Sequence, residues 1–236
     1  MLKKAMILGI FCAVTAMPGW ADGLYAGFGV GRDTADFGVK HTITKTDTFF
    51  DTSISKTDTE NAAGNGYLGS IFAGYGVSFN KFYLAGELGV QTSSLEYNNS
   101  LTNSYGNTQK TTISIDYNLS ASILPGYKVS DNTLIYGRVG YVYGDFDINN
   151  KFIDTNGNSF TTWDKGRGLN GIRYGVGIQT KTYKKLDLRL EYNHIVYQDF
   201  NTSSSYRSGW FETTTNTLRI SPSTDQVELA AVYNFG

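Results

Sequence analysis

From Gln226 to Phe235 the chain reads QVELAAVYNF, with Val227, Leu229, Ala231, Tyr233 and Phe235 at every second position. Glu228, Ala230, Val232 and Asn234 fall between them. Such period-two alternation predicts a strand with one apolar face and one mixed face. The same pattern recurs along the whole chain. Leu24, Ala26, Phe28 and Val30 alternate with Tyr25, Gly27, Gly29 and Gly31 in a first strand over 24–32. GYLGSIFAGYGVSF sets Tyr67, Ile71, Ala73, Tyr75, Val77 and Phe79 on one face of a second. A third begins at Phe82, with Leu84, Leu88 and Val90 opposite Tyr83, Ala85, Glu87 and Gln91.

The fourth strand has the most regular alternation. Ile113, Ile115, Tyr117, Leu119, Ala121 and Ile123 are expected on one face, with Ser114, Asp116, Asn118, Ser120 and Ser122 on the other. Pro125 cannot donate to a ladder, so a bulge or an early end is expected there. Ile135, Val139, Tyr141 and Tyr143 mark the fifth strand, GIRYGVGIQT the sixth, and Leu186, Leu188, Leu190 and Tyr192 the seventh. QVELAAVYNF is the eighth.

The connections alternate in length. Asn80-Lys81, Ser130-Asp131-Asn132 and a basic segment through Lys181, Lys184 and Lys185 are short. Alternating with them are four long polar stretches, about 33–65, 98–111, 145–168 and 199–224. Long and short connections in strict alternation are what an all-β, eight-stranded antiparallel up-and-down transmembrane β-barrel predicts, with short turns on the periplasmic side and longer loops outside. A soluble meander has no reason to keep every second connection short.

Residues 1–21 carry Lys3 and Lys4, an apolar run from Ala5 to Met17, then Pro18-Gly19-Trp20-Ala21. This is the order of a secretory signal peptide cleaved after Ala21. The run is too short to span a bilayer, which takes ~20 apolar residues. Phe11 before Cys12 is too large for a lipoprotein cleavage site. The expected domains are therefore a signal peptide, 1–21, and a barrel, 22–236. Cleavage removes the only cysteine, so no disulfide is available to the barrel. It also removes two of the 20 basic residues and none of the 21 acidic ones, leaving 18 against 21. That balance gives no electrostatic footprint for nucleic acid. The 27 Gly, 17 Tyr and 14 Phe against 3 Pro fit a barrel with small residues inside and aromatics on its outer face.

LYAGFGVG at the first strand, FYLAGELGV in the third and PGYKVSDNTLIYGRVGYVYG across the fourth and fifth carry a resemblance, continued by IRYGVGIQT, LDLRLEYNH and AAVYNF. Together they resemble the outer-membrane β-barrel family that includes the OmpA transmembrane domain and the neisserial opacity proteins. The final strand, with Val227, Leu229, Ala231, Tyr233 and Phe235 in phase, resembles the C-terminal insertion signal of such barrels. The resemblance covers the strands of the whole mature chain and not its long connections. It implies a location in the outer membrane of a Gram-negative bacterium. It also implies contact with outer-membrane lipid and lipopolysaccharide and recognition by the barrel-assembly machinery. A chain closing on its last strand is expected to lack the separate peptidoglycan-binding domain of full-length OmpA-type proteins.

With the apolar faces in lipid, the belt is expected to include Phe28, Ile71, Tyr75, Leu88, Ile115, Leu119, Val139, Tyr174, Val176, Leu188, Leu190, Leu229 and Phe235. Glu87, Asp116, Glu191, Glu228, Arg138, Arg173 and Arg189 then point inward, with Lys128 in phase near the periplasmic end. Charges in a narrow interior must pair, because an isolated buried charge is expensive. The resemblance to OmpA implies that Glu87 and Arg138, matched by motif position, act as a gate. The plainer reading is a static polar plug.

Lipid-modifying catalysis in a small barrel needs a nucleophile and a base within reach. His41 falls in the first long connection. His194 falls at the outer end of the seventh strand, and the residue two beyond it, where a lipid-A deacylase of this type needs Ser, is Val196. The expectation is no enzyme. DTNGNSFTTWDK at 154–165 begins like a calcium loop, yet Ser159 stands where Gly is required and Lys165 where a bidentate Glu is required. No cofactor or metal is expected. Trp163 and Trp210 lie in the long connections, where Trp serves either as a binding anchor or in an interfacial girdle. The function expected is presentation of surface loops for adhesion, host-surface or matrix interaction, or envelope integrity; the alternative is a narrow small-solute channel.

Overall fold

The computed structural model describes residues 22–47, 50, 52–102, 108–153, 159–207 and 212–235, all in strands, turns or short links. The expected leader, residues 1–21, and Trp210 lie outside the described residues. The strands are β1 (Gly23–Asp47), β2 (Thr52–Phe79), β3 (Phe82–Ser93), β4 (Glu96–Thr102), β5 (Thr108–Ser130), β6 (Thr133–Ile153), β7 (Ser159–Tyr183), β8 (Leu186–Tyr197), β9 (Phe200–Arg207) and β10 (Glu212–Asn234). Every pairing is antiparallel, and β10 returns to pair with β1. Ser94–Leu95 and Gln198–Asp199 interrupt two staves, β3/β4 and β8/β9. The ten segments are thus eight staves of one closed antiparallel barrel. Its seam is latched at the base, where the Phe235 amide donates to the Leu24 carbonyl at 2.9 Å.

Side chains sort by parity around this wall. Phe28, Ile71, Leu88, Leu119, Val139, Val176, Leu190, Leu229 and Phe235 all stand outside and exposed, as do Tyr75, Tyr174 and Leu188. Large apolar side chains bare over a continuous band would not be tolerated in water. In a bilayer they are the face that satisfies lipid, while the closed ladder satisfies the backbone.

Three features depart from the pattern read in the sequence. First, the long polar stretches are not loops for most of their length. β1 and β2 stay paired from Gly23↔Gly76 to Asp47↔Thr52 without a register shift, and β10 follows β1 as far as Asp47↔Glu212. At ~3.3 Å per residue the 25 residues of β1 reach ~80 Å, whereas a tilted membrane strand takes only about 9–11 residues. Thr and Ser at alternate positions keep these segments extended after the apolar signal has ended.

Second, the register shifts between Ile115 and Tyr117 opposite Phe146 and Asp145. This bulge turns Ile115 inward, 2 % exposed, and leaves Asp116 exposed on the outside. Asp116 is therefore not part of the interior and Ile115 is not part of the belt. A bulge adds one residue to one strand, and the alternation resumes in opposite phase beyond it.

Third, β5 runs through Pro125 in register with Leu84 of β3. The register shift comes later, between Lys128 and Ser130 beside the turn.

Beyond the membrane ring the wall divides. β2 pairs with β3 only as far out as Leu68↔Ser93, and β7 with β8 only as far as Gly171↔Tyr197. Further out, β4 pairs with β5 and β9 with β10. The outer half thus consists of two four-stranded sheets, β9–β10–β1–β2 and β4–β5–β6–β7, with no ladder joining them among the described residues.

The short turns at the opposite end are Asn80–Lys81, Asp131–Asn132 and Lys184–Lys185. Asn80 has φ 58° and Lys184 φ 43°. Asn adopts this left-handed region readily; Lys does so at a cost. Lys184→Asn is expected to stabilise the barrel by up to about 1 kcal/mol. An upward shift of the urea midpoint in lipid vesicles checks it.

Candidate functional site: the filled interior and the outer rim

Staves of alternating large and small residues decide what fits inside. Gly74 faces Tyr25, and a Cβ there would lie 2.4 Å from the ring; Gly177 stands in the same relation to Tyr136. These two glycines let both tyrosines lie across the lumen, where their hydroxyls reach carboxylates of other staves.

At the centre are two carboxylates and two guanidinium groups. Arg138 Nη2 donates to Glu87 Oε1 at 2.6 Å and to Glu191 Oε1 at 2.8 Å. Arg189 Nη1 donates to Glu87 Oε2 at 2.7 Å and lies 4.0 Å from Glu191. Tyr25 donates to Glu87 at 3.0 Å, and Tyr136 donates to Glu191. The remaining donors of Arg189, Nε and Nη2, reach Gln179 Oε1 at 3.1 and 3.0 Å. Its guanidinium carbon also sits 4.7 Å from the centre of the Phe72 ring, 5.5 Å from Tyr25 and 5.4 Å from Tyr136. Four strands, β3, β6, β7 and β8, thus supply the ion quartet and its amide, and aromatic faces of β1, β2 and β6 enclose it. All four charged groups are buried.

Toward the outside, the polar layer continues with Arg173 donating to Gln91 Oε1 at 3.0 Å and Gln226 donating to the same oxygen at 3.1 Å. Glu228 accepts from Ser70 at 2.6 Å, and Asp33 accepts from Ser93 at 2.6 Å. Glu87, Glu191, Glu228, Arg138, Arg173 and Arg189 therefore all lie inside; Lys128 is half-buried near the turn end.

The sequence reading did not anticipate what lies above and below. Above the polar layer, Phe37, Leu95, Ile115, Phe146 and Ile195 form a buried apolar cluster with Val142 and Tyr197. Below it are Tyr83, Leu124, Leu134 and Val232, again buried. The free space beside the quartet amounts to about 20 Å³, room for a single water. A signal for the upper cluster was present: Ala35 and Phe37 continue the inward parity of β1 into a stretch that reads as polar loop.

The outer rim carries the other candidates. His194 Nδ1 lies 2.8 Å from Asp225 Oδ1, and Tyr192 donates to the same carboxylate. The Tyr174 ring sits 5.1 Å from the imidazole. This group faces outward, with Val196 two residues further along. Arg32 lies over the Tyr67 ring at 5.5 Å on the same rim. Asp199, at the β8–β9 bend, accepts from Ser221 and Arg219, and those bonds hold its carboxyl below the ordinary value. Val227, Leu229, Tyr233 and Phe235 of the closing strand are exposed outward; Ala231, in phase, is half-buried. Trp163 lies on β7 opposite Asn150, not in a loop. The calcium-loop-like segment falls partly outside the described residues and continues from Ser159 as β7.

A family model for the outer membrane protein β-barrel domain matches residues 5–235 of this chain. No curated protein matches it. Among solved structures, it is similar to neisserial surface protein A, at 15% identity over 88% of this chain and 97% of that one, with a TM-score of 0.41. It is similar also to Ail, the attachment invasion locus protein of Yersinia pestis, at 13% identity, 82% and 98% coverage and a TM-score of 0.30. The outer membrane protease OmpT from Escherichia coli matches at 10% identity, with 93% and 99% coverage and a TM-score of 0.46.

Proposed function

Because the chain belongs to the outer membrane protein β-barrel domain family, we propose that it is a non-catalytic surface protein whose barrel is a rigid, sealed mount for its extracellular half. The observation that carries this reading is the interior. Paired charges fill the middle, and apolar clusters close it at both ends. Eight strands leave an interior that side chains can fill, and here they fill it. What stands free for contact is the outer half, where two sheets extend well beyond the thickness of a membrane. Adhesion, interaction with a host surface or matrix molecule, and support of the envelope all use such an exposed half. The proposal includes export by a signal peptide cleaved after Ala21.

The channel reading would need the quartet to part and both apolar clusters to open. The rim group of His194 and Asp225 has no hydroxyl nucleophile two residues on, where Val196 stands, and this supports the non-catalytic reading.

The test compares binding of the refolded barrel to host cells and matrix proteins with that of a version whose four outer hairpins are shortened to tight turns at the rim. Binding by the full barrel and none by the shortened one is expected, with heat-modifiable gel mobility showing both folded. Equal binding by the two forms would remove the proposal. Stepwise conductance of the full barrel in planar bilayers would instead favour the channel.

A further inference from the structure

The outer face of the β9–β10–β1–β2 sheet carries an ordered array of hydroxyls. Ser203, Thr217, Thr42 and Thr57 stand side by side across the four strands. Two residues further out, Ser205, Thr215, Thr44 and Ser55 repeat the row. Neighbours within the rows are hydrogen-bonded: Thr42 to Thr57 at 3.1 Å, Thr44 to Ser55 at 3.5 Å and Ser205 to Thr215 at 2.9 Å. Ladder geometry spaces such groups ~4.8 Å across strands and ~6.7 Å along them. β1 has no register shift against either neighbour, so the spacing holds over the whole array.

This face is the upward continuation of the lipid-facing wall. Phe28 and Val30 share its parity on β1, Leu229 on β10 and Ile71 on β2. Climbing β1 along that face, the chemistry changes in order. Apolar Phe28 and Val30 come first, then Arg32 over the Tyr67 ring, then Lys40 beside Arg219, and finally the neutral hydroxyl rows. Arg219 is tied to Asp199, and Asp36 and Asp225 are interspersed, so the cationic step is modest. An amphiphile with acyl chains, phosphate groups and a neutral sugar chain stacks its parts in the same order. The face also looks sideways along the membrane. A ligand arriving from above meets the hairpin ends first, whereas a neighbouring membrane lipid with a tall headgroup stands directly against the array. The rows hold no aromatic anchor of the kind protein partners use; each hydroxyl both donates and accepts, as sugar hydroxyls do.

We propose that this sheet face is a docking surface for the saccharide of lipopolysaccharide molecules in the same membrane, read through cross-strand hydroxyl rows. It is independent of whatever the hairpin ends bind.

The experiment uses the refolded full barrel in nanodiscs containing lipopolysaccharide with its complete saccharide, lipid A alone, or phospholipid alone. Hydrogen exchange is read over 40–46 and 213–219. Several-fold slower exchange with complete lipopolysaccharide than with lipid A is expected. Thr42→Val, Thr44→Val, Thr215→Val and Thr217→Val combined keep the β-branched shape and remove the hydroxyls; this variant should lose the slowing. The corresponding Ser variant should keep it. Unchanged gel mobility shows that each variant is folded, and exchange within 226–232 serves as the internal reference. Equal exchange in complete lipopolysaccharide and lipid A would overturn the proposal, as would full slowing in the Val variant.

Discussion

Arg189→Met is expected to destabilise the barrel by about 3–5 kcal/mol, the range for breaking a buried ion pair from one side. The side chain is enclosed on every side. It donates to Glu87 and to Gln179, and its cationic face rests on Phe72, Tyr25 and Tyr136. Methionine fills much of the volume but leaves Glu87 and Glu191 sharing Arg138, with an excess negative charge in a space too small for more than one water. Urea unfolding in lipid vesicles, followed by tryptophan fluorescence and gel mobility, measures the loss. Replacing the quartet as a whole, with Glu87→Leu, Arg138→Met, Arg189→Met and Glu191→Leu together, should recover most of it, since apolar side chains of similar volume often substitute for a buried ionic set. The remaining deficit belongs to Tyr25, Tyr136 and Gln179, whose polar atoms lose their partners. A single Arg189→Met variant within about 1 kcal/mol of the parent would mean that the quartet contributes little to holding the staves together.

Leu229→Arg is expected to cost about 2–4 kcal/mol, the penalty for a cation on the lipid face near the bilayer midplane. Leu229 lies mid-span on β10, paired with Val30 and Leu190 and exposed on the outer face. Thr34→Arg, on the same face but level with Asp225 and His194 at the rim, should cost about 0–1 kcal/mol. The same unfolding experiment reads both. The contrast tests depth directly, because the two substitutions add the same charge to the same side of the wall. Equal costs would mean that the membrane band has been placed wrongly along the strands.

The ring was legible in the residues because its alternation is apolar against polar, and eight such runs with every second connection short leave few topologies. Its outward continuation was not. Thr42, Thr44 and Thr46 also alternate, but without a hydrophobic partner the period carries no contrast, and such a stretch reads as loop. The Asp116 placement failed for a related reason. Ile113, Ile115 and Tyr117 look like an unbroken apolar face, while the bulge exchanges Ile115 and Asp116 between the two sides. Parity put Glu87, Glu191, Glu228, Arg138, Arg173 and Arg189 on the inward face but passed over Asp33 and Asp187, which are buried as well. It did not say which acid meets which base, because that depends on the stagger between strands far apart in sequence: Arg189 meets a carboxylate of β3, and Arg138 meets one of β3 and one of β8.

β1 stays locked to β2 and β10 without a register shift from the membrane into the outer sheet, and this limits how such a protein can diversify. A hairpin built as an unbroken ladder cannot gain a lone residue in one strand without turning every side chain beyond it to the opposite side. Lengthening is tolerated in matched steps, two residues up and two residues down, or at the very tip. Natural variants of the outer half should therefore differ in hairpin length by even steps shared between partner strands. Odd-numbered changes should collect at hairpin tips and at the Ser94–Leu95 and Gln198–Asp199 breaks, where the ladder is already interrupted.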